Sequence, residues 1–155
     1  MGDFIHPPAG NAPVAIYEDG GGLVDQYQAA AWEYNLKNRQ VKILGSCRSA
    51  CIYALSVRNV CVGPNAVVKA HMAYERDTNI VRADITARMI ESLPARIYER
   101  LNGNITRGYN PRATLTYRDL ISLGVRKCYS QVYAKDTPYK TLATKPLTGE
   151  TINAR

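Results

Sequence analysis

The chain has 155 residues, 46% of them hydrophobic, with 20 basic and 13 acidic residues for a net charge of +7. That length and apolar content exclude global disorder and suit one domain with its own core. The basic residues are scattered from Lys37 to Arg155 without forming a run, so no nucleic-acid partner is expected. No apolar stretch approaches the roughly 20 residues that span a bilayer, so no transmembrane segment is expected either.

Residues 1–13 hold Pro7, Pro8, Gly10 and Pro13 and read as an irregular N-terminal arm, with His6 exposed in it. The arm has no basic region followed by an apolar core, so no signal peptide is read there. His6 also stands where a myristoylation signal carries Ser or Thr. The apolar run at 14–17 predicts a buried strand, and "EDGGG" at 18–22 a turn. Leu23, Tyr27, Ala30, Ala31 and Tyr34 recur at helical spacing and predict an amphipathic helix over 23–39. A second strand is expected at 41–44, and a buried helix at 49–57. Short strands at 60–62 and 66–71 flank a turn at Gly63, Pro64 and Asn65. The apolar spacing from Ile80 to Leu101 predicts helix over 79–101, kinked or split by Pro94. A loop is expected at 102–111. Thr116 with Asp119 resembles a capping box opening a short helix that ends at Gly124. Beyond Cys128 the chain turns polar, and 129–155 is expected to be a flexible tail. Strands alternating with helices predict a single α/β domain over 14–128, with a mainly parallel sheet and flanking helices.

Three pieces carry chemistry. Gly20, Gly21 and Gly22 lie between a strand and a helix, Ser49 stands at a strand end and helix start, and His71 ends a strand. The carboxyl ends of parallel strands are where ligands gather, so the three can converge. A serine hydroxyl needs a base to become a nucleophile, and imidazole titrates near neutrality. A helix N-terminus offers unpaired N–H groups to a developing oxyanion, and a glycine turn lets backbone approach the substrate without a Cβ in the way. Ser49 is therefore the candidate nucleophile and His71 the candidate base, with the N–H groups of Gly21 and Ala50 as candidate oxyanion donors. The blander readings are a serine N-cap, a core histidine and a tight glycine turn.

The motifs "DGGGLV", "CRSAC" and "PNAVVKAH", in that order, resemble the Clp protease proteolytic subunit and its relatives in the ClpP/crotonase superfamily. "GSCRSAC", "VCVGPNAVVKAH" and "LGVRKC" are similar to a cysteine-containing group of small, mostly uncharacterised bacterial members, many of them exported. The resemblance covers residues 14–128 and implies a ClpP/crotonase-like fold. It also implies a Ser49–His71 pair with Gly21 and Ala50 as oxyanion hole, a peptide or protein substrate, homo-oligomer formation and no cofactor or metal. The family's third triad member is an aspartate before the last helix. Here that region, "NGNITRGYNPRATLT", holds no carboxylate. Asn102, Asn104, Asp77, Asp84 or a backbone carbonyl is left to orient His71. The short N-terminus argues against carrying over the family's barrel assembly or an unfoldase partner.

Cys47, Cys51, Cys61 and Cys128 suit two disulfides or, less well, a zinc site with His71. Cys47 and Cys51 fall one turn apart if one helix holds both, which disfavours their mutual pairing. The reading therefore leans to bonding each with Cys61 or Cys128. Cysteines and resemblance together suggest a periplasmic or secreted setting. The leading expectation is a serine hydrolase of peptidase type. The alternatives are a catalytically inactive scaffold or binding protein, and a crotonase-like acyl-CoA enzyme, against which the Ser–His pair argues.

Overall fold

The computed structural model describes residues 2–128, so the segment 129–155, expected to be a tail, lies outside the described residues. The domain is mixed α/β, with a six-stranded, mostly parallel sheet. Strand β1 is Val14–Asp19, helix α1 is Val24–Leu36, and strand β2 is Val41–Arg48. A 3-10 helix, Ser49–Ser56, follows β2 without a break. Strands β3 (Val60–Val62) and β4 (Val67–Lys69) come next, then helices α2 (Ala83–Glu91) and α3 (Ala95–Leu101). Strand β5 (Thr114–Thr116), helix α4 (Tyr117–Ser122) and strand β6 (Arg126–Lys127) close the described chain.

β2 organises the sheet. β1 lies parallel along one edge of it. Along the other edge its first half takes β3 and its second half takes β4, both parallel. β6 extends β3 in parallel, and β5 extends β4 as the antiparallel member. The β1–β2 register slips between Ile16 and Glu18, which pair with Ile43 and Ser46. The extra residue in β2 falls at Leu44 and Gly45, opposite Tyr17. A Cβ on Gly45 would lie 2.2 Å from the Tyr17 carbonyl oxygen, so this bulge admits only glycine.

The core is continuous. Val14, Ile16, Val41, Ile43 and Val62 supply its sheet portion. Tyr27, Ala31 and Tyr34 bury one stripe of α1, as their spacing predicts. The 3-10 helix buries Ala50 through Leu55 on every side. The N-terminal arm is irregular but tied down. Phe4 is fully buried, stacked on Tyr27 and edge-on to Tyr34. The carboxylate of Asp3 accepts from the Tyr17 and Glu18 N–H groups, satisfying part of the open edge of β1. Among the described residues no helix is long and apolar enough to cross a membrane.

Several boundaries differ from expectation. β2 runs on to Arg48 rather than stopping at residue 44, because both of its edges are hydrogen-bonded there. The expected helix over 79–101 begins only at Ala83. Before it, Tyr74 bridges antiparallel to Val81, and Asn79 turns the chain at φ +58°. Pro94 does separate α2 from α3.

The capping box forms as expected. Thr116 Oγ1 accepts from the Asp119 N–H, and the Asp119 carboxylate accepts from the Thr116 N–H. Gly124 follows the helix at φ +100°. The Thr116 N–H and hydroxyl, with Arg100 nearby, hold the Asp119 carboxyl below its ordinary range. A depressed folded-state value stabilises the fold above the ordinary carboxylate range and loses that contribution as acid protonates the group. Asp119→Ala is expected to cost about 1 kcal/mol at pH 7, with the gap from wild type narrowing below about pH 4. Urea denaturation at pH 7 and pH 3 checks both parts.

Candidate active site

Ser49 stands where β2 turns into the 3-10 helix. Its φ is +60°, the left-handed region that a non-glycine residue occupies only at a cost. The turn is held from two sides. Cys47, in β2, is disulfide-bonded to Cys51, in the helix, with Cα atoms 5.3 Å apart. Gly21, at φ +86°, packs against the other side, where a Cβ would lie 2.7 Å from Ser49 Cβ and 2.9 Å from Ala50 N. Only glycine lets the two chain segments meet this closely. As the second residue of a 3-10 helix, Ala50 presents an N–H that precedes the first intrahelical bond.

The disulfides correct the expected pairing. The bonds are Cys47–Cys51 and Cys61–Cys128, so neither Cys47 nor Cys51 reaches Cys61 or Cys128. The expectation set Cys47 and Cys51 one turn apart only on the condition that one helix held both. The strand instead holds Cys47, and the left-handed turn at Ser49 swings Cys51 back beside it. With all four cysteines oxidised in pairs, none supplies a thiolate for zinc.

Gly21 differs from expectation in one respect. Its N–H donates to Asp19 Oδ1 at 2.9 Å, so it is engaged within the protein. Asp19 is fully buried at the end of β1 and also accepts from the Phe4 N–H at 2.8 Å and the Tyr27 hydroxyl at 2.7 Å. Burial, reinforced by the carboxylate it donates to, raises the Tyr27 hydroxyl and keeps it a donor. Asp19 therefore fixes the glycine turn that packs on Ser49. In "EDGGG" it reads as an ordinary turn residue, although an Asp two residues before a glycine N–H is an Asx-turn signal.

His71 lies two residues past β4 and is partly buried. The β2–β4 register pairs Arg48 with Lys69, so Ser49 and His71 follow the carboxyl ends of neighbouring parallel strands. Among the described residues no hydrogen bond joins Ser49 Oγ to the imidazole. His71 Nδ1 lies 2.8 Å from the Met72 carbonyl oxygen. A carbonyl only accepts, so Nδ1 carries the proton and, in the neutral ring, Nε2 keeps its lone pair. The backbone thus orients the ring, a role that no side-chain pattern in the sequence announces.

The four side chains considered for that role are elsewhere. Asp84 is held by Arg82, whose hydrogen bonds bring its carboxyl down to about 2. Asn104 donates to the Arg100 carbonyl. Asp77 and Asn102 are exposed, and neither hydrogen-bonds His71. The segment expected to bear a carboxylate does reach the imidazole, but with other groups. Met72 N–H donates to the Thr106 carbonyl, and Tyr109 meets His71 edge-on at 4.9 Å between ring centres. Tyr74 stacks on the imidazole at 5.9 Å between ring centres. Burial raises the Tyr109 hydroxyl against the opposing pull of Arg48.

A separate cavity of about 330 Å³ lies between the end of the 3-10 helix, the start of α3 and residues 123–126, and contains neither Ser49 nor His71. Among the described residues no group of His, Cys, Asp and Glu is placed to hold a metal ion. Of the residues singled out in the sequence, Gly21, Ser49 and Ala50 are brought into contact, with His71 at the same carboxyl end of the sheet. Tyr74, Tyr109 and Asp19 join them without having been singled out. No protein-family model matches the chain, and no curated protein matches it.

Proposed function

We propose that this chain is a serine hydrolase of peptidase type, built on a ClpP/crotonase-like α/β domain. The observation that carries the reading is the left-handed Ser49 at a sharp strand-to-helix turn, braced by Gly21 and by the Cys47–Cys51 bond. Strain held this firmly at a serine is characteristic of a positioned nucleophile rather than of an N-cap, which needs no left-handed backbone.

In the proposed reaction Ser49 Oγ attacks the substrate carbonyl carbon while its proton passes to His71 Nε2. The Ala50 N–H donates to the oxyanion. The tetrahedral intermediate then collapses, the scissile bond breaks to leave the acyl group on Oγ, and His71 delivers that proton to the leaving amine or alcohol. Water, deprotonated by His71, attacks the acyl-enzyme, and the proton returns to Ser49. The Met72 carbonyl orients the imidazole but carries no full charge, so it stabilises the imidazolium less than a carboxylate does. Slower turnover than that of an aspartate triad is expected.

A catalytically inactive scaffold is the second reading. It is favoured by the absent Ser49–His71 hydrogen bond and by the engagement of the Gly21 N–H with Asp19. Activated-ester and peptide hydrolysis separates the two. Ser49→Ala and His71→Ala are each expected to lower kcat about 1,000-fold or more while the fold is kept. A wild type no faster than either variant would support the scaffold.

A further inference from the structure

One residue before Ser49, two cations lie side by side. Arg48 on β2 and Lys69 on β4 are register partners, so their side chains share a face of the sheet. The preceding pair, Cys47 and Val68, points the other way and is buried. Like charges opposite one another on neighbouring strands repel. Glu18 offsets part of this, accepting from Arg48 Nη2 with a carboxylate that is itself 65% exposed. Lys69 has no carboxylate partner among the described residues, and its ammonium lies 5.8 Å from the centre of the Tyr109 ring. Arg48 Nε is buried with no hydrogen-bond partner. The reachable part of Arg48, a side chain 36% exposed, and a Lys69 ammonium without a carboxylate partner share one face, an arrangement that an anion completes.

The surroundings say where that anion comes from. The Arg48 guanidinium lies over the glycine turn, where a Cβ on Gly20 would be 3.4 Å from Nη2. Lys69 is two residues from His71, and the Tyr109 ring lies edge-on to His71 with the Lys69 ammonium over it. A group held by Arg48 and Lys69 therefore belongs to the molecule whose acyl carbon meets Ser49. We infer that Arg48 and Lys69 form a carboxylate subsite, selecting peptide substrates that carry an acidic side chain or a free C-terminal carboxylate next to the scissile bond. Glu18 is an internal competitor that a substrate carboxylate displaces or bridges.

This inference rests on the hydrolase reading for its placement, but its test does not need turnover. Binding to the Ser49→Ala protein is measured by calorimetry with three short peptides. One carries a central Glu and an amidated C-terminus, one is its Gln isostere, and one is the Gln peptide with a free C-terminal carboxylate. At least one carboxylate peptide is expected to bind about tenfold or more tightly than the amidated Gln peptide, with the difference shrinking as salt is raised. Which of the two binds tightly distinguishes side-chain from terminal recognition. Arg48→Gln and Lys69→Gln should each remove most of the preference. Glu18→Gln should increase it, a sign that general loss of structure would not produce. Equal affinities for all three peptides, or a preference unmoved by these variants, would overturn the subsite. Fluorophosphonate labelling of the wild type reports separately on Ser49, so a failed subsite and a failed nucleophile give different results.

Discussion

Asp19→Ala is expected to destabilise the protein by about 3–5 kcal/mol, because two buried donors and a partly buried one lose their acceptor at once. The Phe4 N–H, the Gly21 N–H and the Tyr27 hydroxyl all point at this carboxylate, at 2.8, 2.9 and 2.7 Å. Each orphaned donor costs about 1–3 kcal/mol in the interior, and relaxation of the arm recovers part of the sum. Two separate elements are affected. The arm is released where Phe4 stacks on Tyr27, and the glycine turn is released where it packs on Ser49. Asp19→Asn keeps the volume and one acceptor but turns a second acceptor into a donor facing donors, so it should cost less than Ala and more than a surface change. Urea denaturation followed by far-UV circular dichroism at pH 7 measures both. A loss under about 1 kcal/mol for Asp19→Ala would mean that the buried carboxylate is not the junction described here.

The two disulfides should differ in worth. Cys61–Cys128 joins residues 67 apart in sequence, and closing a loop of that length in the unfolded chain corresponds to about 4 kcal/mol. Cys47–Cys51 spans only 4, which corresponds to about 2 kcal/mol. Cys61→Ala with Cys128→Ala is thus the more damaging double variant for stability. The bond it removes anchors Cys128, next to β6, onto the middle of β3. Cys47→Ala with Cys51→Ala should do less to stability and more to the site, since that bond spans the left-handed turn at Ser49. Denaturation midpoints compared with Ser49 reactivity give the two orders. The same order for both properties would contradict this division of labour.

Much of the fold was readable where a single physical pattern decided the outcome. Tyr27, Ala31 and Tyr34 repeat at helical spacing and bury one stripe of α1. Thr116 and Asp119 form the capping box that their spacing suggests, and Pro94 separates two helices. The reading failed where hydrogen bonding to distant strands overrode local composition. Gly45 and Ser46 look like the end of a strand, yet β2 continues to Arg48 because β1 and β4 pair with it there. That extension puts Cys47 in the strand and Cys51 in the helix, where they bond each other against the expected pairing. The short strands β5 and β6 carry too few residues for any periodicity, and partners elsewhere in the chain define them.

The candidate site shows the same division. Ser49, Gly21 and Ala50 meet because glycines and small residues mark close backbone approaches, which are visible in the sequence. The group that orients His71 is the Met72 carbonyl, and every residue has a carbonyl. A backbone carbonyl stood among the candidates beside Asp77, Asp84, Asn102 and Asn104, but the sequence carries no mark of which carbonyl it is. Tyr109 contributes an aromatic edge against the imidazole, which no acidic pattern in its loop announces.

The most direct test of the account is to treat the folded, oxidised protein with a fluorophosphonate and locate the adduct by peptide mass mapping. The account predicts one adduct, on Ser49, absent from Ser49→Ala and strongly reduced in His71→Ala, with both variants melting as the wild type does. A well-folded wild type that takes up no probe, or takes it up equally in His71→Ala, would contradict an activated Ser49–His71 pair and leave this domain a scaffold.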